Sequence, residues 1–62
     1  MTFEEMRAIR DAAMARAQDL IIDISTAIND GDLDGVEAKM ALANVDLGIA
    51  EFYSAEITER LK

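Results

Sequence analysis

The chain has 62 residues, 13 of them acidic and 6 basic, for a net charge of −7, with three glycines and no proline, cysteine or histidine. That length holds one domain at most, burying only about 60% of the surface its unfolded chain exposes, and no disulfide or zinc site is available to staple it. The excess of carboxylates opposes binding to phosphate backbones, whose affinity comes from lysine and arginine, so nucleic acid is excluded as an expected partner.

The first predicted element is a helix over about residues 2–29, built from alanine, methionine, arginine, glutamate, leucine and isoleucine, all good to fair helix formers. Thr2 and Glu5 have the spacing of a capping box. The opening stretch MTFEEMRAIRDAAM alternates charge with alanine, where a signal peptide needs a basic start and an unbroken apolar core. No export is therefore expected, and a cytoplasmic location is. The longest apolar runs, residues 20–22 and 40–43, fall far short of the ~20 residues that span a bilayer, so no membrane partner is expected either. One stripe of the helix carries Phe3, Met6, Arg10, Ala13, Ala17, Leu20, Ile24 and Ile28, three or four apart. The outward positions Glu5, Ala8, Ala12, Ala15, Asp19, Ile22 and Thr26 read as a solvated face.

The only punctuation is NDGDLDG, residues 29–35. Gly31 can take the left-handed conformation that closes a helix, giving a turn at 30–32. Asp32 or Asp34 can then cap the next helix, Asp34 with Glu37 as a D-x-x-E box. The segment DGDLDG resembles the first half of an EF-hand calcium loop over six residues. In that family the twelfth position supplies a bidentate glutamate, but here it is Ala41, and the usually aliphatic eighth position is Glu37. The reading is thus a glycine-terminated turn with aspartate caps, with no metal and no cofactor, and calcium is expected to leave stability unchanged.

The second predicted helix spans about 33–61 and carries a heptad line: Leu33, Val36, Met40, Ala43, Leu47, Ala50, Ser54, Ile57 and Leu61. A short turn makes the pair an antiparallel hairpin, so the fold class is all-α. Ala13 then lies level with Ala50, Ala17 with Leu47, Leu20 with Ala43 and Met6 with Ile57. Large side chains oppose small ones, as interdigitating layers require. Arg10 and Ser54 interrupt the stripe together. Arg10 is expected to lay its stem along the interface and send its guanidinium to water, Glu51 or Glu56.

A second apolar line on this helix, Leu42, Val45, Ile49 and Phe52, falls on the opposite side in that register. Burying four such side chains is worth about 1.5–3 kcal/mol each, and an exposed line of this kind marks an interface. Beside it stand Ala41, Gly48 and Ala55, seven apart. A glycine inside a helix costs ~1 kcal/mol relative to alanine, and close backbone approach is a reason to keep it. If two copies of helix 2 cross antiparallel about Gly48, Ala41 faces Ala55, Leu42 meets Phe52, Val45 meets Ile49 and Asp34 reaches Lys62. Such a contact is isologous. The same arrangement brings Asp19, Asp23, Asp30, Asp32, Asp34 and Glu37 of the turn half towards Arg7, Arg10, Arg60 and Lys62 of the open end. The expected assembly is a homodimer, either a four-helix bundle or a pair centred on helix 2, with another helical protein as the rival occupant.

Catalysis finds no support: Ser25 and Ser54 have no evident base, and Lys39 stands among carboxylates that stabilise its charge. The layout resembles that of small plasmid-encoded RNA-binding hairpins that pair as antiparallel four-helix dimers. Those proteins use a basic face, whereas helix 1 here offers only Arg7, Arg10 and Arg16. The function expected is a non-catalytic protein–protein interaction or assembly module that self-associates through helix 2. The alternative is a small acidic inhibitor that mimics nucleic acid on a basic protein surface.

Overall fold

The computed structural model describes residues 1–62 as two α-helices, α1 (Phe3–Asp30) and α2 (Val36–Leu61), with no strand. They pack side by side as an antiparallel hairpin, a rod of 46 × 16 × 14 Å. Arg16 meets Asp46 across the pair and Arg60 reaches the Met1 carbonyl, which sets the register within one helical turn of the expected one.

The start of α1 is fixed locally. The Glu5 N–H donates to Thr2 Oγ1 at 3.1 Å, and the Thr2 N–H donates to Glu5 Oε1 at 3.0 Å, the reciprocal bonds of a capping box. The second of these bonds stabilises the charged carboxylate. The pKa of Glu5 is therefore lowered, first by the Thr2 backbone N–H and then by the Thr2 side chain. A depressed folded value means the contribution is present above the unfolded value and lost as pH falls through the folded one. We expect an NMR titration of the Glu5 carboxyl to give a midpoint below the usual glutamate range, moving upward in Thr2→Ala. An ordinary midpoint in the wild type would mean that the box is open in solution.

The turn is longer than the sequence pattern suggests, because two glycines break the helices. Gly31 is left-handed at φ 74° and ends α1. Its N–H donates to the Ile28 carbonyl at 3.2 Å, while the Asp32 N–H donates to the Ala27 carbonyl at 2.9 Å, the paired bonds of a Schellman motif. Gly35 is left-handed as well, at φ 77°, so α2 begins at Val36 and not near residue 33. The expected Asp34–Glu37 box does not form, since Gly35 occupies the N-cap and α2 has no side-chain cap. Asp32 Oδ1 instead accepts the Asp34 N–H at 3.2 Å, an Asx-type turn. Left-handed backbone costs a side-chain-bearing residue about 1–2 kcal/mol. Gly31→Ala should lower the unfolding free energy by about that amount, read as a lower urea midpoint at fixed protein concentration, and an unchanged midpoint would mean that the turn has another conformation.

The helices meet on a narrow seam. The buried residues are Met6, Ala13, Ala17, Ala43, Ala50 and Ile57, all of which belong to the two expected stripes. On α1 the seam continues through the half-buried Phe3, Arg10, Leu20 and Ile24, with Ala27 taking the inner place expected of Ile28. On α2 it is turned from the expected line. Lys39, Asp46 and Tyr53 are half-buried beside Val36 and Ser54, while Met40 and Leu47 are 50% and 45% exposed. The physical reason lies in side-chain size and in one ion pair. Alanines at 13, 17, 43 and 50 let the backbones approach, and Asp46, its side chain only 13% exposed, is drawn inward by Arg16 Nε at 3.1 Å. Arg10 does lie half-buried along the seam, but it pairs with its neighbour Asp11 at 3.1 Å and not with Glu51 or Glu56.

Candidate interaction surface

A core in which only Met6 and Ile57 are larger than alanine leaves most of the apolar content outside. Twelve large hydrophobic side chains are exposed. They are not scattered. Nearly all of them sort onto two faces, and the sorting follows from the rotated seam.

The first face is the line on α2 that the sequence singled out. Leu42, Val45 and Phe52 are exposed and Ile49 is half-buried. The line does not point directly away from α1, as the expected register required, but lies to one side. Leu42 shares an open groove with Arg16, Asp19, Leu20 and Asp46 at the helix–helix junction, which places this flank next to α1. The residues that point away are the small ones, Ala41, Gly48 and Ala55, all exposed. A Cβ built on Gly48 would meet nothing within 4 Å, so packing inside the hairpin gives no reason for a glycine there. Phe52 stands edge-on to Tyr53, ring centroids 5.1 Å apart, and the seam holds Tyr53 half-buried beneath it. Lys62, expected opposite Asp34 of a second copy, pairs with Glu59 at 3.4 Å in the single chain.

The second face escaped the sequence reading. Met40 and Leu47, moved out of the seam, lie on the opposite flank of α2, about 170° around the axis from the Leu42–Phe52 line at 3.6 residues per turn. Because the helices are antiparallel, Met14, Ile21 and Ile28 of α1 border the same flank, and all five are exposed. Leu33 continues the row into the turn and Leu61 closes it at the open end. There Phe3, Glu4, Arg7, Ile57 and Leu61 line a second groove. A signal for this face was present in the seven-residue spacing of Met14, Ile21 and Ile28, matched by that of Leu33, Met40 and Leu47.

The polar surface is divided along the rod. The ion pairs within the chain are Arg10–Asp11, Arg16–Asp46 and Lys62–Glu59. Asp19, Asp23, Asp30, Asp32, Asp34 and Glu37 in the turn half therefore have no cationic partner, and neither Arg7 nor Arg60 at the open end has a carboxylate partner. No three acidic side chains come together in an arrangement that could hold a metal ion. No buried side-chain polar atom lacks a hydrogen-bond partner. No helix is long and apolar enough to cross a membrane. Comparison with protein-family models, with curated proteins and with solved structures finds no match.

Proposed function

We propose that the chain is a non-catalytic interaction or assembly module that associates with itself through α2. The observation that carries the reading is the inversion of size between inside and outside: a buried seam of four alanines, Met6 and Ile57 against twelve exposed large apolar side chains. Exposed apolar surface on that scale is costly in water and is normally covered by a partner. The contact proposed is the antiparallel crossing of two α2 helices about Gly48, with Ala41 and Ala55 at the close approach and Leu42, Val45, Ile49 and Phe52 beside it.

Sedimentation equilibrium at micromolar concentration tests the proposal. The wild type should sediment above its 6.8 kDa chain mass, and Ile49→Glu, which places an unpaired carboxylate in the contact, should sharply lower that mass. A wild type that stays monomeric and fully helical would sink the reading.

The uncompensated carboxylates of the turn half favour one rival, an acidic inhibitor that occupies a basic nucleic-acid-binding surface of another protein. The two readings differ in which surface matters. Reversing Asp19, Asp23 and Asp30 to lysine should leave apolar self-association largely intact, whereas an inhibitor so altered would lose its target.

A further inference from the structure

We propose that the face shared by both helices is a second self-association surface, on which another copy of the chain lies antiparallel with the turn of each copy against the open-end groove of the other. The proposal takes from the functional reading above only the premise that the chain pairs with itself. It adds a contact that the α2 crossing cannot supply.

The need for a second contact comes from geometry. Met40 and Leu47 lie on the side of α2 opposite Val45 and Phe52, so a partner seated on either flank leaves the other in water. On the shared face Met14, Ile21, Ile28, Leu33, Met40 and Leu47 are each between 45% and 67% exposed. On this flank each helix adds one apolar line to its seam positions, the pattern of half a four-helix bundle.

The face is complementary to itself in shape and in charge. A two-fold axis across the middle of the rod places Leu47 near its own mate and Met14 near the partner copy's Ile21. At each end it sets Ile28 and Leu33, which project beside the turn, over the groove lined by Phe3, Glu4, Arg7, Ile57 and Leu61. It also brings Asp30, Asp32 and Asp34 towards Arg7, and none of these four has an ion-pair partner within the chain. A parallel arrangement would instead stack two carboxylate-rich turns on each other, which like charges oppose. The size fits as well: a rod face of 46 by 16 Å is comparable with the ~800 Å² per partner of a stable interface. A net charge of −7 disfavours the other common occupant of an apolar helical face, an anionic membrane surface.

The chain has no cysteine, so single-cysteine variants give a clean readout. Ile28→Cys mixed with Leu61→Cys should form a disulfide-linked pair on mild oxidation, while Ile28→Cys alone should not. The α2 crossing cannot produce this link, because it leaves Ile28 on the far side of each hairpin. Ile21→Glu, at an exposed position that should leave the helical circular dichroism unchanged, should weaken this contact by about a hundredfold or more. Combined with Ile49→Glu it should give monomers. The proposal is overturned if Ile28→Cys links to itself, or if the mixture fails to link while the wild type remains associated. A monomeric wild type would overturn this contact and the α2 crossing together. Association lost in Ile49→Glu but unaltered in Ile21→Glu would overturn only the one proposed here.

Discussion

Replacing Ala13 by leucine should lower the thermal midpoint of the hairpin by about 10 °C, as the buried alanine seam is forced open. Ala13 is 0% exposed, and the other buried alanines of the seam are Ala17 on the same helix and Ala43 and Ala50 on the other. Helices that touch through alanine have no groove deep enough for an isobutyl group, so the added atoms must push the backbones apart or twist the side chain off its rotamer. Overpacking of this kind costs typically 1–3 kcal/mol, and each kcal/mol moves the midpoint of a domain this small by roughly 4–8 °C. The control is Ala15→Leu, on the exposed outer face of α1, where the change should stay within about 0.5 kcal/mol. Circular dichroism melts of the three proteins at one concentration decide the matter. Equal midpoints for Ala13→Leu and wild type would mean that the alanine seam is not closed in solution.

Gly48→Leu should act with opposite signs on the hairpin and on its assembly. Within one chain the substitution is favourable, because leucine is a better helix former than glycine, by somewhat less than the ~1 kcal/mol that separates alanine from glycine, and nothing lies within 4 Å of the new Cβ. Across a crossing that brings Gly48 beside its symmetry mate, the same side chain holds the two α2 helices apart. At high dilution the variant should therefore melt above the wild type, and its midpoint should rise less with concentration than that of the wild type. A melting series over a hundredfold range of concentration, paired with sedimentation, separates the two effects. If Gly48→Leu associated as strongly as the wild type, the small residues at 41, 48 and 55 would have no role in contact between copies.

The parts of the structure that were legible from sequence are those set by local chemistry. Thr2 and Glu5 make their bonds within one turn, and Gly31 ends α1 through its own backbone, so neither depends on what packs elsewhere. Gly35 carried the same information as Gly31. An aspartate followed three residues later by a glutamate competed with it, and the left-handed backbone won because it excludes the helix outright. The seam on α2 was harder to place, since hydropathy ranks lysine and aspartate as surface residues. Lys39 is half-buried, and Asp46 turns inward because Arg16 on the other helix meets it, a pairing 30 residues away in sequence. With Asp46 inside, Leu47 must be outside, and the face shared with Met14 and Ile21 follows from that single rotation. The α2 line of Leu42, Val45, Ile49 and Phe52 was legible as a line of apolar residues; its direction was not.

The two left-handed glycines also bear on whether the hairpin can trade a helix with a second copy. A helical hairpin with a short connection can open into one long rod, about 90 Å for 62 residues at 1.5 Å each, and then close again with its halves shared between two chains. That rod needs right-handed helical backbone through residues 31–35. The native turn has left-handed backbone at both Gly31 and Gly35, the first held by bonds from the Gly31 and Asp32 N–H groups to the Ile28 and Ala27 carbonyls, so opening requires both residues to change basin. Hairpin closure is local, and helical folds with such contacts form in roughly microseconds to milliseconds, well before two chains at micromolar concentration meet. A chain that pairs with a second copy as proposed would thus meet it already folded back on itself, and exchange of a helix between copies is expected only in variants that have lost one of these two glycines.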